Sequence, residues 1–333
     1  MAAASAIQVM LPAVGDELPF SPDLIAAKNS GVSSEDRVKW LLRRRQGLGC
    51  SEMPAILNRD DYNSRYKIWC DKRGLIPLDT VKSDSAELGL QMEPYLLHRF
   101  SLVHTREIVA NRNVFRSERY PWLQGTPDGF DISEPTIVTP TQVKLSGRKG
   151  WEEDEIPSYV YTQVQSEMLL LGAPRAIVIA MLGGSFGPIA AKEYALEADE
   201  EHQAQIVAAG EEFWARVQEN RPPEPDGSKA TGDAIAMRWP QHVEGRSGFV
   251  YLSEEIQELV RELNQLQDLQ KRTELRIEQI RQIIKDQMGD NEYAVLPDHS
   301  AAFSFKTVTR KEKTVTYPET SYRSLRSVKV RKH

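Results

Sequence analysis

The segment Pro127-Asp128-Gly129 lies just upstream of Thr141-Gln142-Val143-Lys144, with Gln142 fourteen residues after Asp128. Residues of these types at this spacing can hold a divalent cation and act on a phosphodiester. Pro-Asp-Gly is turn sequence, so the Asp128 carboxylate is expected at a strand end. Gln142 and Lys144 stand two apart in a β-branched run. Their side chains should therefore share one face of a strand, with Val143 pointing the other way, into the core. If the two strands pair as a hairpin, Asp128, Gln142 and Lys144 converge at one edge of a sheet. Magnesium takes oxygen ligands, typically one or two carboxylates with water and phosphate oxygens. A lysine beside it can position the attacking water or offset phosphate charge. Glu93, in GLQMEPYLLHRF, is a second carboxylate for the site if its helix packs across this edge. Taken singly, a Pro-Asp-Gly is most often just a turn, and a helical Glu is usually solvated. The expectation rests on order and spacing together.

The elements that must position these groups follow from periodicity and punctuation. SSEDRVKWLLRRRQG reads as a helix with Ser34 as its N-cap and Val38, Leu41 and Leu42 on one face. Ser51 is expected to cap a second helix, SEMPAIL, with Pro54 in its first turn. SRYKIWCDKRG reads as a helix closed by Gly74, and SAELGLQMEPYLLHRFSLV as a longer one. REIVANRNVFRS, WLQGTPDGFDI, PTIVTPTQVKLS, RAIVIAMLGG and KEYALEAD read as strands. YVYTQVQSEMLLLGA between two of them reads as a helix with Leu169, Leu170 and Leu171 buried. ADEEHQAQIVAAGEEFWARVQEN reads as another that stops at Pro222-Pro223.

The fold class expected is α/β, a central mixed sheet flanked by helices, with a long C-terminal helix and a small basic β-containing extension. The expected divisions are an N-terminal arm over 1–33, a core over 34–220, a linker over 221–252, a long helix over 253–289 and a basic element over 290–333. In the long helix Ile256, Leu259, Leu263, Leu266, Ile277, Ile280 and Ile284 fall at a and d of a heptad, interrupted by Gln270 and Thr273. At 1.5 Å per residue it would run roughly 50 Å. Coiled-coil association and packing on its own chain are both open.

The chain of 333 residues is 40% hydrophobic and 27% charged, ordinary for a globular protein. No run of eighteen apolar residues occurs, so no transmembrane helix is expected, and the N-terminus lacks the charged start of a signal peptide. Cys50 and Cys70 form neither a disulfide framework nor a zinc spacing, which suits a reducing cytoplasm. The net charge of −6 argues against indiscriminate coating of nucleic acid. From Lys306 onward nine Lys and Arg face only Glu312 and Glu319, so this tail carries about +7 and the remainder about −13. A local basic groove can still bind DNA on an acidic body.

Five segments in order resemble the YqaJ-type viral recombinase family, relatives of the phage lambda exonuclease within the PD-(D/E)XK nuclease superfamily. They are RRRQGLGCSEMPAIL, GLQMEPYLLHRF, WLQGTPDGF, TQVK and YVYTQVQSEMLLLG, and together they cover roughly residues 35–220. The resemblance implies that Asp128 and Glu93 are metal ligands, that the backbone carbonyl of Val143 is a further oxygen, and that Lys144 is the catalytic lysine. It places Arg44, Ser51 and Gln163 where the family holds the terminal 5′-phosphate of a DNA end, with Arg45 as an adjacent alternative to Arg44, while Gln165, one helical step from Gln163, is open to either that role or a place in the core. It also implies Mg²⁺ or Mn²⁺ as cofactor. Double-stranded DNA ends would be the substrate, resected 5′ to 3′ for recombination, with a single-strand annealing protein as partner and a ring-shaped homo-oligomer in a bacterial or phage-infected cell.

Position 142 departs from the family, which has Glu-x-Lys where this chain has Gln-x-Lys. An amide keeps an oxygen but removes a charge, so Gln142 is expected to weaken cation binding and attenuate cutting. Three readings of Gln142 stand open: a natural active variant, a Glu-to-Gln replacement made to stop cutting, or natural loss of cleavage. Besides an attenuated exonuclease, the sequence admits a catalytically dead DNA-end-binding or recombination-assembly module and a related endonuclease.

Overall fold

The computed structural model describes residues 34–78, 84–111, 113–134, 136–146, 151, 155–182, 192–241 and 252–309. The arm over 1–33 and the basic tail from 310 onward lie outside the described residues. The chain divides into two compact units, Met1–Pro240 and Gln241–His333.

In the first unit helix α1 (Ser34–Arg44) leads into strand β1 (Leu48–Gly49), a 3₁₀ turn (Cys50–Glu52) and the short α2 (Met53–Ile56). Then come α3 (Arg65–Lys72), α4 (Asp84–His104), β2 (Ile108–Ala110), β3 (Phe115–Arg116), β4 (Leu123–Gly125), β5 (Gly129–Asp131) and β6 (Thr139–Ser146). Helix α5 (Ser158–Leu171), β7 (Arg175–Leu182), β8 (Lys192–Glu197), α6 (Glu200–Gln218) and α7 (Lys229–Arg238) complete it. The five-stranded sheet has the order β2-β5-β6-β7-β8 and is mixed, with β6 and β7 parallel and the other pairs antiparallel. A smaller sheet joins β1, β4 and β3.

Strand alternation explains how the layers form. On β7, Ile177 and Ile179 face Leu96, Leu97 and Phe100 of α4, together with Val143 of β6 and Ile108 of β2. Ala176, Val178 and Ala180 of the same strand face Val160, Val164 and Met168 of α5. Each face of the sheet therefore buries one helix, the period-2 pattern expected of a strand covered on both sides. A third core gathers Met53, Ile56, Trp69, Leu123, Leu170, Ile206 and Phe213 around α2, α3 and α6. Helix α5 ends where Gly172 adopts a left-handed φ of 65°, as expected for a glycine C-cap.

Three expectations are corrected. Ser51 does not cap a helix: the Glu52 carboxylate accepts from the Gly49 backbone N–H at 2.7 Å, so a 3₁₀ turn precedes the helix, which begins at Met53. Of the three leucines ending α5, only Leu170 is fully buried; Leu169 and Leu171 are partly so. The segment expected as linker over 221–252 contains α7. The Ser228 side chain caps it by accepting from Thr231 N, and Thr231 Oγ1 donates to Ser64 Oγ at 2.8 Å, tying it to the start of α3.

The second unit holds α8 (Glu254–Met288) and a hairpin of β9 (Tyr293–Val295) and β10 (Ala302–Ser304). Helix α8 has 35 residues, capped by Ser253, whose hydroxyl accepts from Ile256 N. Its a and d residues Leu259, Leu263, Leu266, Ile277 and Ile280 are exposed along the helix. Among the described residues no helix is long and apolar enough to cross a membrane.

Candidate active site

Strands β5 and β6 form the expected hairpin, pairing Gly129 with Thr141 and Phe130 with Pro140. Asp128 immediately precedes β5, and its carboxylate reaches across to β6. Asp128 Oδ2 accepts from the Val143 backbone N–H at 2.8 Å and from Gln142 Nε2. Gln142 Nε2 also lies 3.5 Å from the Val143 carbonyl oxygen. The amide nitrogen thus bridges the two oxygens for which the resemblance implies a cation-binding role. The ligands the resemblance implies, Asp128, Glu93 and the Val143 carbonyl with Gln142 Oε1, are all oxygens, the kind Mg²⁺ takes, but here Gln142 Oε1 faces Gln163 and its Nε2 faces Asp128.

On the far side of Gln142 the network runs into α5. Gln163 Nε2 donates to Gln142 Oε1 at 3.1 Å and to Glu167 Oε1 at 2.9 Å, while Gln163 Oε1 accepts from Lys144 Nζ at 2.9 Å. Gln142 and Lys144 do share a face, the one covered by α5, and their neighbours on β7 are Val178 and Ala180. Val143 faces α4. Glu93 is buried on the stripe of α4 that continues through Leu96, Leu97 and Phe100. Leu97, one turn on from Glu93, lies 3.3 Å from where a Cβ on Gly129 would be, which brings this part of α4 against the strand that begins beside Asp128. Among the described residues no three His, Cys, Asp or Glu side chains cluster as a cation site; an amide occupies position 142.

Sequence reasoning missed Glu167. It is 2% exposed, and its Oε2 is buried with no hydrogen-bond partner. Burial pushes its carboxyl up to about 8; the Gln163 hydrogen bond and the Lys144 charge oppose this, and the Asp128 charge adds to it. The available signal was its position one helical turn beyond Gln163.

The proposed phosphate-holding residues separate into two groups. Arg44 Nη2 lies 3.3 Å from Ser51 Oγ and 3.5 Å from Glu52 Oε1, and its guanidinium sits 4.9 Å over the Trp40 ring. Ser51 is exposed, and its turn packs against α5, the helix that carries Gln163. Beneath it Glu52 is buried against Lys72 Nζ at 2.7 Å, and burial notwithstanding, Lys72 and Arg44 hold its carboxyl below the usual range. Arg45 points elsewhere: it donates to Asp71 Oδ1 from Nε at 3.1 Å and Nη2 at 3.0 Å, and to the Ile76 carbonyl at 2.9 Å. Gln165 is fully buried on the opposite side of α5, donating to the Glu197 carbonyl at 2.8 Å and accepting from Asp199 N at 3.0 Å. Arg45 and Gln165 therefore join elements rather than line the site.

A mixed sheet covered on both faces by helices, with Asp128 on a turn and Gln142 and Lys144 on the next strand, makes this an α/β core. Residues 39–174 match the family model of the YqaJ-like viral recombinase domain. It is 26% identical over 284 residues to the YqaJ protein of Bacillus subtilis, spanning 84% of this chain and 86% of that one. Among solved structures it is similar to an alkaline exonuclease from Laribacter hongkongensis, at 13% identity and a TM-score of 0.43 over 55% of this chain and 94% of that one. It is also similar to a phage-related exonuclease from Haemophilus somnus, at 11% identity and a TM-score of 0.38 over 52% and 96%.

Proposed function

We propose that the protein is a Mg²⁺-dependent deoxyribonuclease that resects double-stranded DNA from an end, 5′ to 3′, in phage-type recombination, with activity attenuated by Gln142. The observation that supports this reading is the single hydrogen-bonded network joining Asp128, Gln142, Lys144 and Gln163 at the β5–β6 edge. Glu93, Asp128, the Val143 carbonyl and Gln142 Oε1 would hold the cation. When bound, Mg²⁺ supplies Lewis-acid stabilisation of the phosphate and a more acidic water. Arg44 and Ser51, with Gln163, receive the terminal 5′-phosphate, where a guanidinium makes strong charge-assisted contacts. Lys144 orients the attacking water and offsets the charge developing on the phosphate. A ring-forming homo-oligomer and a single-strand annealing partner complete the proposal, and the exposed apolar stripe of α8 is a surface open to either.

The amide nitrogen between Asp128 and Val143 O favours one rival, a module that grips a DNA end without cutting it. Linear duplex with 5′-phosphates, incubated with Mg²⁺, separates the two. Gradual loss of one strand supports the exonuclease, and binding with no hydrolysis supports the module. Cleavage of closed circular DNA would instead indicate an endonuclease. Gln142→Glu is expected to raise the metal-dependent rate at least about tenfold, since a carboxylate restores the charge that offsets the cation.

A further inference from the structure

Above about pH 8, where Glu167 is ionised, opposite charges at its two ends hold the amide of Gln163 in one orientation. Its N–H₂ faces the Glu167 carboxylate and its carbonyl faces the Lys144 ammonium. Turned over, its oxygen would face a carboxylate and its N–H₂ an ammonium, both repulsive. The same orientation fixes Gln142. Because Gln163 offers an N–H, Gln142 must present Oε1 to it, which leaves the Gln142 N–H₂ directed at Asp128. The polarity of the whole chain of amides is therefore dictated from its buried end. No part of the DNA-cutting mechanism calls on Glu167, and one of its oxygens is enclosed without a partner.

We propose that Glu167 is a positioning residue: through Gln163 it holds Gln142 with its nitrogen, not its oxygen, toward Asp128 and the Val143 carbonyl, and so sets how readily this centre accepts a divalent cation. The inference rests on the metal site described under the proposed function. For Gln142 to ligate a cation its amide must turn over. Its N–H₂ then meets the Gln163 N–H₂, and that amide must turn in its stead. An ionised Glu167 opposes the second turn because a carboxylate cannot donate a hydrogen bond. A neutral side chain of the same shape that can both donate and accept removes this opposition.

Glu167→Gln is that side chain. The charged and titratable groups around it are Lys144 and Asp128 on the strand side and Cys50 on the adjoining turn. The experiment is a calorimetric titration of the full chain with Mg²⁺, without DNA, at pH 9, where Glu167 is ionised. Four proteins are compared: the parent, Glu167→Gln, Gln142→Glu and the double variant. Glu167→Gln should tighten Mg²⁺ binding by about three- to tenfold, equivalent to one net hydrogen bond. On the Gln142→Glu background the same change should do nothing, because a carboxylate at 142 presents oxygen on both sides and has no polarity to set. This non-additivity is what a coupled pair shows and a remote structural residue does not.

An unchanged affinity in Glu167→Gln would overturn the proposal, because the residue would then be mere packing. A weaker affinity would also overturn it, because Glu167 would then be attracting the cation through its charge. An equal gain on both backgrounds overturns it as well. If the parent and all variants neither bind Mg²⁺ nor cleave DNA with it, the metal site itself fails. If the parent binds Mg²⁺ and only the Glu167 effect is missing, the nuclease reading stands and this inference alone falls.

Discussion

Replacing Gln142 with Glu should make the protein's stability depend on a divalent cation. In the parent, Asp128 Oδ2 accepts from the Gln142 amide, a hydrogen bond to a charged acceptor worth about 1.5–3 kcal/mol. The substitution removes that bond and sets a second carboxylate against Asp128. Two unit charges about 4 Å apart repel by roughly 4 kcal/mol at an effective dielectric constant near 20. Asp128 is only partly buried, and one of the pair can take up a proton, so solvent screening and protonation reduce both terms. A net loss of about 2–4 kcal/mol at pH 8 follows. For a unit of this size that lowers the melting temperature by roughly 5–10 °C. Mg²⁺ between the two carboxylates reverses the repulsion, and each tenfold gain in affinity adds about 1.4 kcal/mol of stabilisation at saturating cation. The assay is thermal unfolding of parent and variant in chelator and in saturating Mg²⁺. The variant should melt lower than the parent in chelator and gain more from the cation. Equal melting in chelator, or equal gains from Mg²⁺, would refute the view that the Gln142 amide stands between oxygens meant for a metal.

Three further outcomes are expected from single substitutions, and a fourth from pH. Arg44→Ala should reduce the preference for 5′-phosphorylated over 5′-hydroxyl duplex ends about tenfold in a competition binding assay, the loss expected for one charge-assisted contact. Arg45→Ala should leave that preference intact and destabilise the fold by about 1–3 kcal/mol in a denaturant titration, because Arg45 ties the end of α1 to Asp71 and Ile76. Glu167 has a folded-state pKa of about 8 against an ordinary value of 4.5, so its contribution to stability is fully present below the ordinary value and is lost as pH rises through about 8. The parent should lose stability between about pH 4.5 and 8, and Glu167→Gln should flatten that fall in unfolding curves taken across the range. Gly129→Ala should cost about 1–3 kcal/mol and weaken Mg²⁺ binding, since the added Cβ would lie 2.9 Å from the Val109 carbonyl and press on Leu97, spreading β2 and α4 away from Asp128; a melting temperature equal to the parent's would contradict it.

Much of this arrangement was legible from local rules. The two-residue spacing of Gln142 and Lys144 fixed their common face, and Pro-Asp-Gly fixed the turn that carries Asp128. What escaped the sequence depended on distances between elements or on angle around a helix. Gln163 and Gln165 stand two apart in a Gln-Val-Gln string, about 200° apart around the helix, and the sequence leaves open which of them faces the core. One therefore meets β6, and the other meets the β8–α6 junction. Arg44 and Arg45 differ in the same way at the end of α1. Glu167 looked like one more helical acid; only the closeness of α5 to β6 makes it part of the network. Helix α7 was hidden because Pro, Gly and Ser around 222–228 read as linker, while the serine among them was a cap.

The residues on β7 beneath α5 set a further constraint. Ala176, Val178 and Ala180 are small, whereas Ile177 and Ile179 on the reverse of the same strand are large. Small residues on this side leave room for α5, whose Gln163 side chain spans to both Gln142 and Lys144. Each hydrogen bond in that span has only a few tenths of an ångström to spare before contact is lost. The volumes of two alanines that take no part in chemistry thus act as the shim that keeps the reactive edge in register, and a bulkier side chain at 176 or 180 would open the span without touching any residue of the site.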